Sequence, residues 1–202
     1  MTEYKMTGIL KSEHTGKGAK IQFPTTEKAF KELLYDLSDG HPDTPWGISG
    51  ICVQNEEEAF AIAACKNLSA INYYAALAQN FTRDEYALYQ FLLRAGVCVK
   101  YTMDTIINLA LNVHNFTVCA EIPDAYALGK MILDTSTEEE GKAPEGFENA
   151  SKDKIAMLGE MICIKSGGTF YNGFYIEPND NYQLLYDSPA DVPEFFRISI
   201  PV

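Results

Sequence analysis

The chain has 202 residues with 28 acidic against 16 basic side chains, a formal charge of -12 at pH 7, and it is 47% hydrophobic and 12% aromatic. That balance has the wrong sign for a protein that grips nucleic acid through its phosphates or docks on an anionic membrane. It is too apolar for a disordered acidic tail, and its length allows one sizeable core or two to three small ones.

In chain order, Tyr4 to Leu10 and Ala19 to Phe23 read as two strands around the turn-forming KSEHTGKG, and Pro24 stops the second. Thr25 or Thr26 caps a helix to about Leu37, because Phe30, Leu33, Leu34 and Leu37 recur at helical spacing. After DGHPDTPWG, Ile48, Ile51 and Val53 suggest another strand. Glu58 to Ala64 fits a hairpin partner or a helix, and the strand is favoured.

The middle reads as helical. Leu68, Ile71, Tyr74, Ala75 and Leu77 give one periodic face, and Thr82 with Glu85 forms a capping box that opens a helix to Arg94. Gly96 suits its left-handed close, and Thr102 starts a segment with Ile106, Ile107, Leu109 and Ala110 inside. Phe116 to Glu121 reads as a short strand, and Asp124 caps a helix carrying Tyr126, Leu128 and Met131. From Asp134 to Lys154 the chain is almost without apolar residues and reads as a mobile loop. A helix-like turn ends near Gly159, and Met161 to Ile164, Phe170 to Ile176 and Tyr182 to Tyr186 read as strands. These elements predict an α+β chain with short antiparallel sheets and a helical middle. Its expected divisions are an N-terminal α+β domain over 1–66, a helical domain over 67–115 and an acidic α+β domain over 116–202, the mobile loop occupying 134–154.

Cys52, Cys65, Cys98, Cys119 and Cys163 are odd in number, widely spaced and set among apolar residues, which suits reduced thiols in a cytoplasmic protein. The first residues lack a basic start followed by an apolar run, and no window reaches ~18 uncharged apolar residues, so neither a secretory leader nor a membrane span is expected. No metal-site spacing appears, and His14, His41 and His114 stand far apart. Phosphate-binding loops are missing, and Ser166-Gly167-Gly168-Thr169 is explained by a hairpin turn. The cluster Glu138, Glu139 and Glu140 lacks the alternating oxygen ligands of a calcium loop, and Phe170, Tyr171, Phe174 and Tyr175 lack the cations of a base-stacking platform. No catalytic residue, metal or cofactor is expected.

Four stretches in order resemble the ArdA family of antirestriction proteins. They are GKGAKIQFPTTEKAFKELLYDL, LSAINYYAALAQNFTRDEYALYQFLLRAG with its Ile71-Asn72 and Ala95-Gly96, IPDAYALGKMIL with Leu128-Gly129, and KIAMLGEMICIKSGGTFYNGFYI with Gly159 and Gly173-Phe174-Tyr175. The weight lies in their order and spacing. The resemblance implies an elongated chain of about three small α+β domains and a homodimer that imitates duplex DNA. It implies a protein partner, a type I restriction-modification enzyme whose DNA-binding site is occupied, with no direct nucleic-acid or membrane contact. It also places Tyr126, Leu128 and Gly129 near the dimer contact. The alternative is a protein-interaction module of a mobile element that binds a host protein without mimicry.

Charge bears on this choice. Residues 1–54 and 55–101 each carry a net -1, and residues 102–202 carry -10. Duplex DNA has one charge per roughly 1.7 Å of axis, so -12 matches about 20 Å of duplex and a dimer about 41 Å. The candidate mimic carboxylates are Asp104, Glu121, Asp124, Asp134, Glu138, Glu139, Glu140, Glu145, Glu148, Asp180, Asp187, Asp191 and Glu194.

Overall fold

Met6, Leu10 and Ser12 point inward along β1 (Met6–Ser12) while Ile9 and Lys11 face solvent, the two-residue period of a half-buried strand. This is seen in a computed structural model that describes residues 4–41, 45–53, 55–98, 100–141 and 144–199. β2 (Gly18–Phe23) pairs antiparallel with β1, from Met6 opposite Phe23 to Lys11 opposite Gly18. β3 (Trp46–Cys52) pairs with its other edge, with a register irregularity between Thr7 and Ile9. Thr26 accepts the amide of Ala29 at 3.2 Å to open α1 (Glu27–Leu37), whose Phe30, Leu34 and Leu37 are buried.

The strand expected over Glu58 to Ala64 is a helix, α2 (Glu56–Ala64). Asn55 accepts the amide of Glu57 at 2.8 Å, and three glutamates occupy the first turn where the helix dipole favours them. The apolar run that follows has no period to distinguish the two structures. α3 (Leu68–Asn80) starts at Asn67, which accepts the amide of Ala70 at 2.9 Å. At α4 (Arg83–Arg94) the expected capping box is present: Thr82 donates its amide to Glu85 Oε2 at 2.6 Å, and Thr82 Oγ1 accepts the amide of Glu85 at 3.2 Å. Gly96 closes the helix at φ +71°, and a second reciprocal cap between Thr102 and Thr105 opens α5 (Met103–Leu111).

A second antiparallel sheet has the order β4 (Phe116–Ala120), β6 (Phe174–Pro178), β5 (Thr169–Tyr171). The strand expected from Phe170 to Ile176 is thus two, reversed at Asn172 and Gly173, both at positive φ as a tight hairpin requires. Asp124 caps α6 (Ala125–Glu140) through the amide of Ala127 at 2.9 Å, and Ser151 opens α7 (Lys152–Ser166). Two further expectations are corrected here. Residues 134–140 are helix rather than loop, because an acidic run without apolar residues still has good helix formers and ends at Gly141 in the left-handed conformation. Met161 to Ile164 is helix rather than strand, since Gly159 does not stop α7 but lies inside it.

The described chain divides into two compact units. One holds residues 4–91, 98–113 and 183–199, the other residues 92–97 and 114–182. Residues 67–91 and 98–113 thus share a unit with the N-terminal sheet, as does the tail over 183–199. Tyr182 to Tyr186 forms no strand, because its backbone is bonded to side-chain amides instead. Asn112 Nδ2 donates to the carbonyl of Gln183 at 2.8 Å, and its Oδ1 accepts the amide of Gln183 at 3.1 Å. Asn108 Oδ1 accepts from Leu185 and Tyr186, and its Nδ2 donates to the Tyr186 carbonyl at 2.6 Å. Farther on, Asn72 Nδ2 donates to the carbonyls of Thr25 and Phe196, both at 2.9 Å. Among the described residues, no helix is long and apolar enough to cross a membrane.

Candidate acidic surface and its setting

Twelve of the thirteen candidate carboxylates have described side chains, and all twelve are exposed; the side chain of Glu140 lies outside the described residues. Eight belong to the second unit. Asp134 and Glu138 stand four residues apart on α6 with Glu139 beside them, and Asp124 sits at the cap of the same helix. Glu145 and Glu148 follow in the turns before α7, Asp180 follows β6, and Glu121, at φ +63°, follows β4. Asp104, Asp187, Asp191 and Glu194 belong to the first unit. Asp104 lies in the first turn of α5. The other three lie on the tail, where Asp191 accepts the amides of Asp187 and Ser188 at 2.9 Å each. Those backbone bonds hold its carboxyl below the ordinary range.

Among the described residues, no cation forms an ion pair with this set. The ion pairs formed among the described residues are Lys17 with Asp39, Lys28 with Glu32 and Lys31 with Glu27, all before residue 40 and none with a candidate carboxylate. In the second unit, Lys152 lies over the Tyr126 ring at 4.9 Å. Lys154 lies over Phe147 at 4.7 Å and donates to the carbonyl of Gly146 at 2.6 Å. Two of the nearby lysines therefore face aromatic rings and backbone rather than acids.

The three residues placed near a dimer contact fall differently. Leu128 and Gly129 are buried, Leu128 in a core with Ile122 and Tyr175. Gly129 is spent on α7, since a Cβ there would strike the carbonyl oxygen of Ile155. Only Tyr126 keeps part of its surface.

A feature that the sequence reading missed is Glu58. It is fully buried in α2, with the hydroxyls of Tyr4 and Tyr86 each donating at 3.3 Å. Tyr74 and Tyr89, both buried, join their hydroxyls at 3.0 Å beside it. Burial pushes the Glu58 carboxyl up to about 7, against the hydrogen bonds of the surrounding tyrosines. The only signal in sequence was an acid in an apolar helix, indistinguishable from Glu56 and Glu57. Burial raises the thiols of Cys65, Cys119 and Cys163 and pushes Cys98 up to about 11, which leaves these four with little nucleophilic character. Among the described residues, no group of three His, Cys, Asp or Glu side chains is placed to hold a metal ion. A cleft of about 450 Å³ beside β3, lined by Trp46, Ile48, Ala59, Ala63 and Lys66 among others, brings together no acid-base pair.

No family model matches the chain, and no curated protein matches it.

Proposed function

We propose that this protein is an antirestriction protein that substitutes for duplex DNA in the DNA-binding site of a type I restriction-modification enzyme. The observation that carries the reading is a set of twelve exposed carboxylates with no cation in ion-pair contact among the described residues. A DNA site is lined with cations that hold phosphate oxygens, and an anionic surface is drawn to it by the same long-range attraction. Base contacts are not needed, because phosphate contacts position a duplex without reading its sequence. Carboxylates that were already paired within the chain could not serve, since the partner's cations would have to displace existing ones.

The test is displacement of a labelled duplex from the methyltransferase core of a type I enzyme. Displacement is expected at about 50 mM salt and weakens steeply toward about 200 mM. Converting Asp134, Glu138, Glu139, Glu145 and Glu148 to amides together is expected to weaken it by about tenfold or more, roughly 1.4 kcal/mol. No displacement at low salt, or an unchanged value in the five-amide variant, overturns the reading.

A second reading, an interaction module that binds a host protein through an apolar patch, is favoured by one observation. The tail exposes Leu184 to 79% and Phe195 to 78%. A complex made through these side chains is expected to survive high salt and to be lost on Leu184→Asp with Phe195→Asp.

A further inference from the structure

The cleft beside β3 is built from β3, α2 and the start of α3, all in the first unit. Leu10 and Ser12, both fully buried, stand opposite Ile48 and Trp46 in the strand pairing, so those two side chains point to the inner face of the sheet. On α2, Ala59, Ile62 and Ala63 lie three and four residues apart on one helix face and line the same cleft. Two of the three are alanines, and a face that low leaves a hollow of about 450 Å³, with Leu68 and Ile71 of α3 completing its wall. At ~30 Å³ per water this is room for about fifteen waters, and it falls within the ~300–1,000 Å³ of small-molecule sites. The Trp46 ring packs edge-on against Phe30 at 5.2 Å, which fixes one wall. Trp46, Ile48 and Ala59 are half-buried and Ala63 is exposed, so the chain does not close the hollow itself.

The charges around the hollow say what fits it. Among the described residues that line it, Lys66 is the one charged side chain, and it enters no ion pair among the described residues. No carboxylate is among those lining residues, in a chain with 28 acids against 16 bases. A cationic guest would meet Lys66 without a counter-charge, and a polyol would find little beyond Ser49 and the backbone to bond. An apolar body with one negative end satisfies both features. We propose that this cleft binds a small amphipathic monocarboxylate, with its apolar body between Trp46 and the alanine face of α2 and its carboxylate at Lys66. Lys66 is exposed, so its attraction selects the sign of the guest, while burial of the apolar body supplies most of the affinity. Glu58 on the same helix takes no part, since its partners Tyr4 and Tyr86 do not line the cleft. None of the candidate mimic carboxylates lines it either, so the site does not depend on DNA mimicry.

Trp46 is the only tryptophan of the chain, so tryptophan fluorescence reports on this wall alone. The test titrates sodium octanoate, octanol and octylammonium chloride, which share one apolar body, into the full chain at neutral pH, with Trp46 emission and calorimetry as readouts. A saturable blue shift is expected, octanoate binding about threefold tighter than octanol and about tenfold tighter than octylammonium. Lys66→Gln, at an exposed position, is expected to erase the advantage of octanoate over octanol and to leave octanol binding as it was. Ala59→Leu with Ala63→Leu fills the hollow and is expected to weaken octanoate binding by about tenfold or more. Thermal melting verifies that each variant folds. No saturable change in Trp46 emission, an affinity indifferent to the head group, an advantage kept in Lys66→Gln, or undiminished binding in the folded double variant overturns the proposal. Because neither DNA nor a restriction enzyme is present, these outcomes leave the displacement test to be judged separately.

Discussion

Glu58 is a carboxyl enclosed by hydroxyls. Tyr4 and Tyr86 donate to it, and the edge-on contacts of Tyr4 with Tyr74 and Tyr86 hold the rings in place. Hydroxyls can stabilise the anion but carry no charge to balance it, so burial dominates and the carboxyl rises from 4.5 to about 7. A carboxyl raised in the folded state is favoured there in its neutral form. Its contribution is therefore fully present below the unfolded value and is lost as pH rises through about 7. The gap corresponds to about 3 kcal/mol between the two limits. Glu58→Gln keeps the size and an acceptor oxygen and removes the charge. Its stability relative to the parent is expected to improve between pH 5 and pH 8 by an amount of that order. Denaturant unfolding at the two pH values checks this, and an equal difference at both would mean that Glu58 does not titrate there. Nothing in the run Glu56-Glu57-Glu58 marks the third residue for burial, because its partners come from residue 4 and from α3 and α4.

Helix starts were the most legible elements, since Thr26, Thr82, Thr102 and Asp124 each act through atoms within three residues of themselves. Helix interiors were less so. Gly159 reads as a stop by propensity, yet it is the place where α6 and α7 cross backbone to backbone. A Cβ on Gly159 would collide with the carbonyl oxygen of Ala125 and come within 2.8 Å of the Gly129 amide nitrogen. Main chain cannot move aside as a flexible side chain does. Gly159→Ala is expected to cost about 1–3 kcal/mol and to raise amide exchange in both helices. Gly47→Ala, where a Cβ meets nothing within 4 Å, is the matched control and should leave exchange in α6 and α7 as it was. The pairing of Gly129 with Gly159 was hidden in sequence for the same reason as Glu58: 30 residues separate the two halves of one contact.

At the scale of the whole molecule, composition revealed the acidity but not its division. The tail carries Asp187, Asp191 and Glu194 back to the first unit, so the acidic half of the sequence is not one body. Three buried asparagines cause this return, and a buried Asn in an apolar helix reads from sequence as an exposed polar residue. Asn108→Ala leaves the amides of Leu185 and Tyr186 without their acceptor, at roughly 1–3 kcal/mol for each group orphaned. It should also make residues 183–199 the first site of limited proteolysis, which mass spectrometry of the fragments would show; unchanged cleavage would argue that the apolar contacts of Tyr186 and Val192 hold the tail unaided. The paired bonds between Asn112 and Gln183 have one more consequence. Asn179 likewise donates its amide to the carbonyl of Asn115 at 2.9 Å. The chain therefore leaves for residues 114–182 and comes back through neighbouring doors, as an inserted cassette does in its host. Lengthening the stretch between them therefore need not part residues 112 and 183, because one asparagine side chain holds both backbone groups of Gln183.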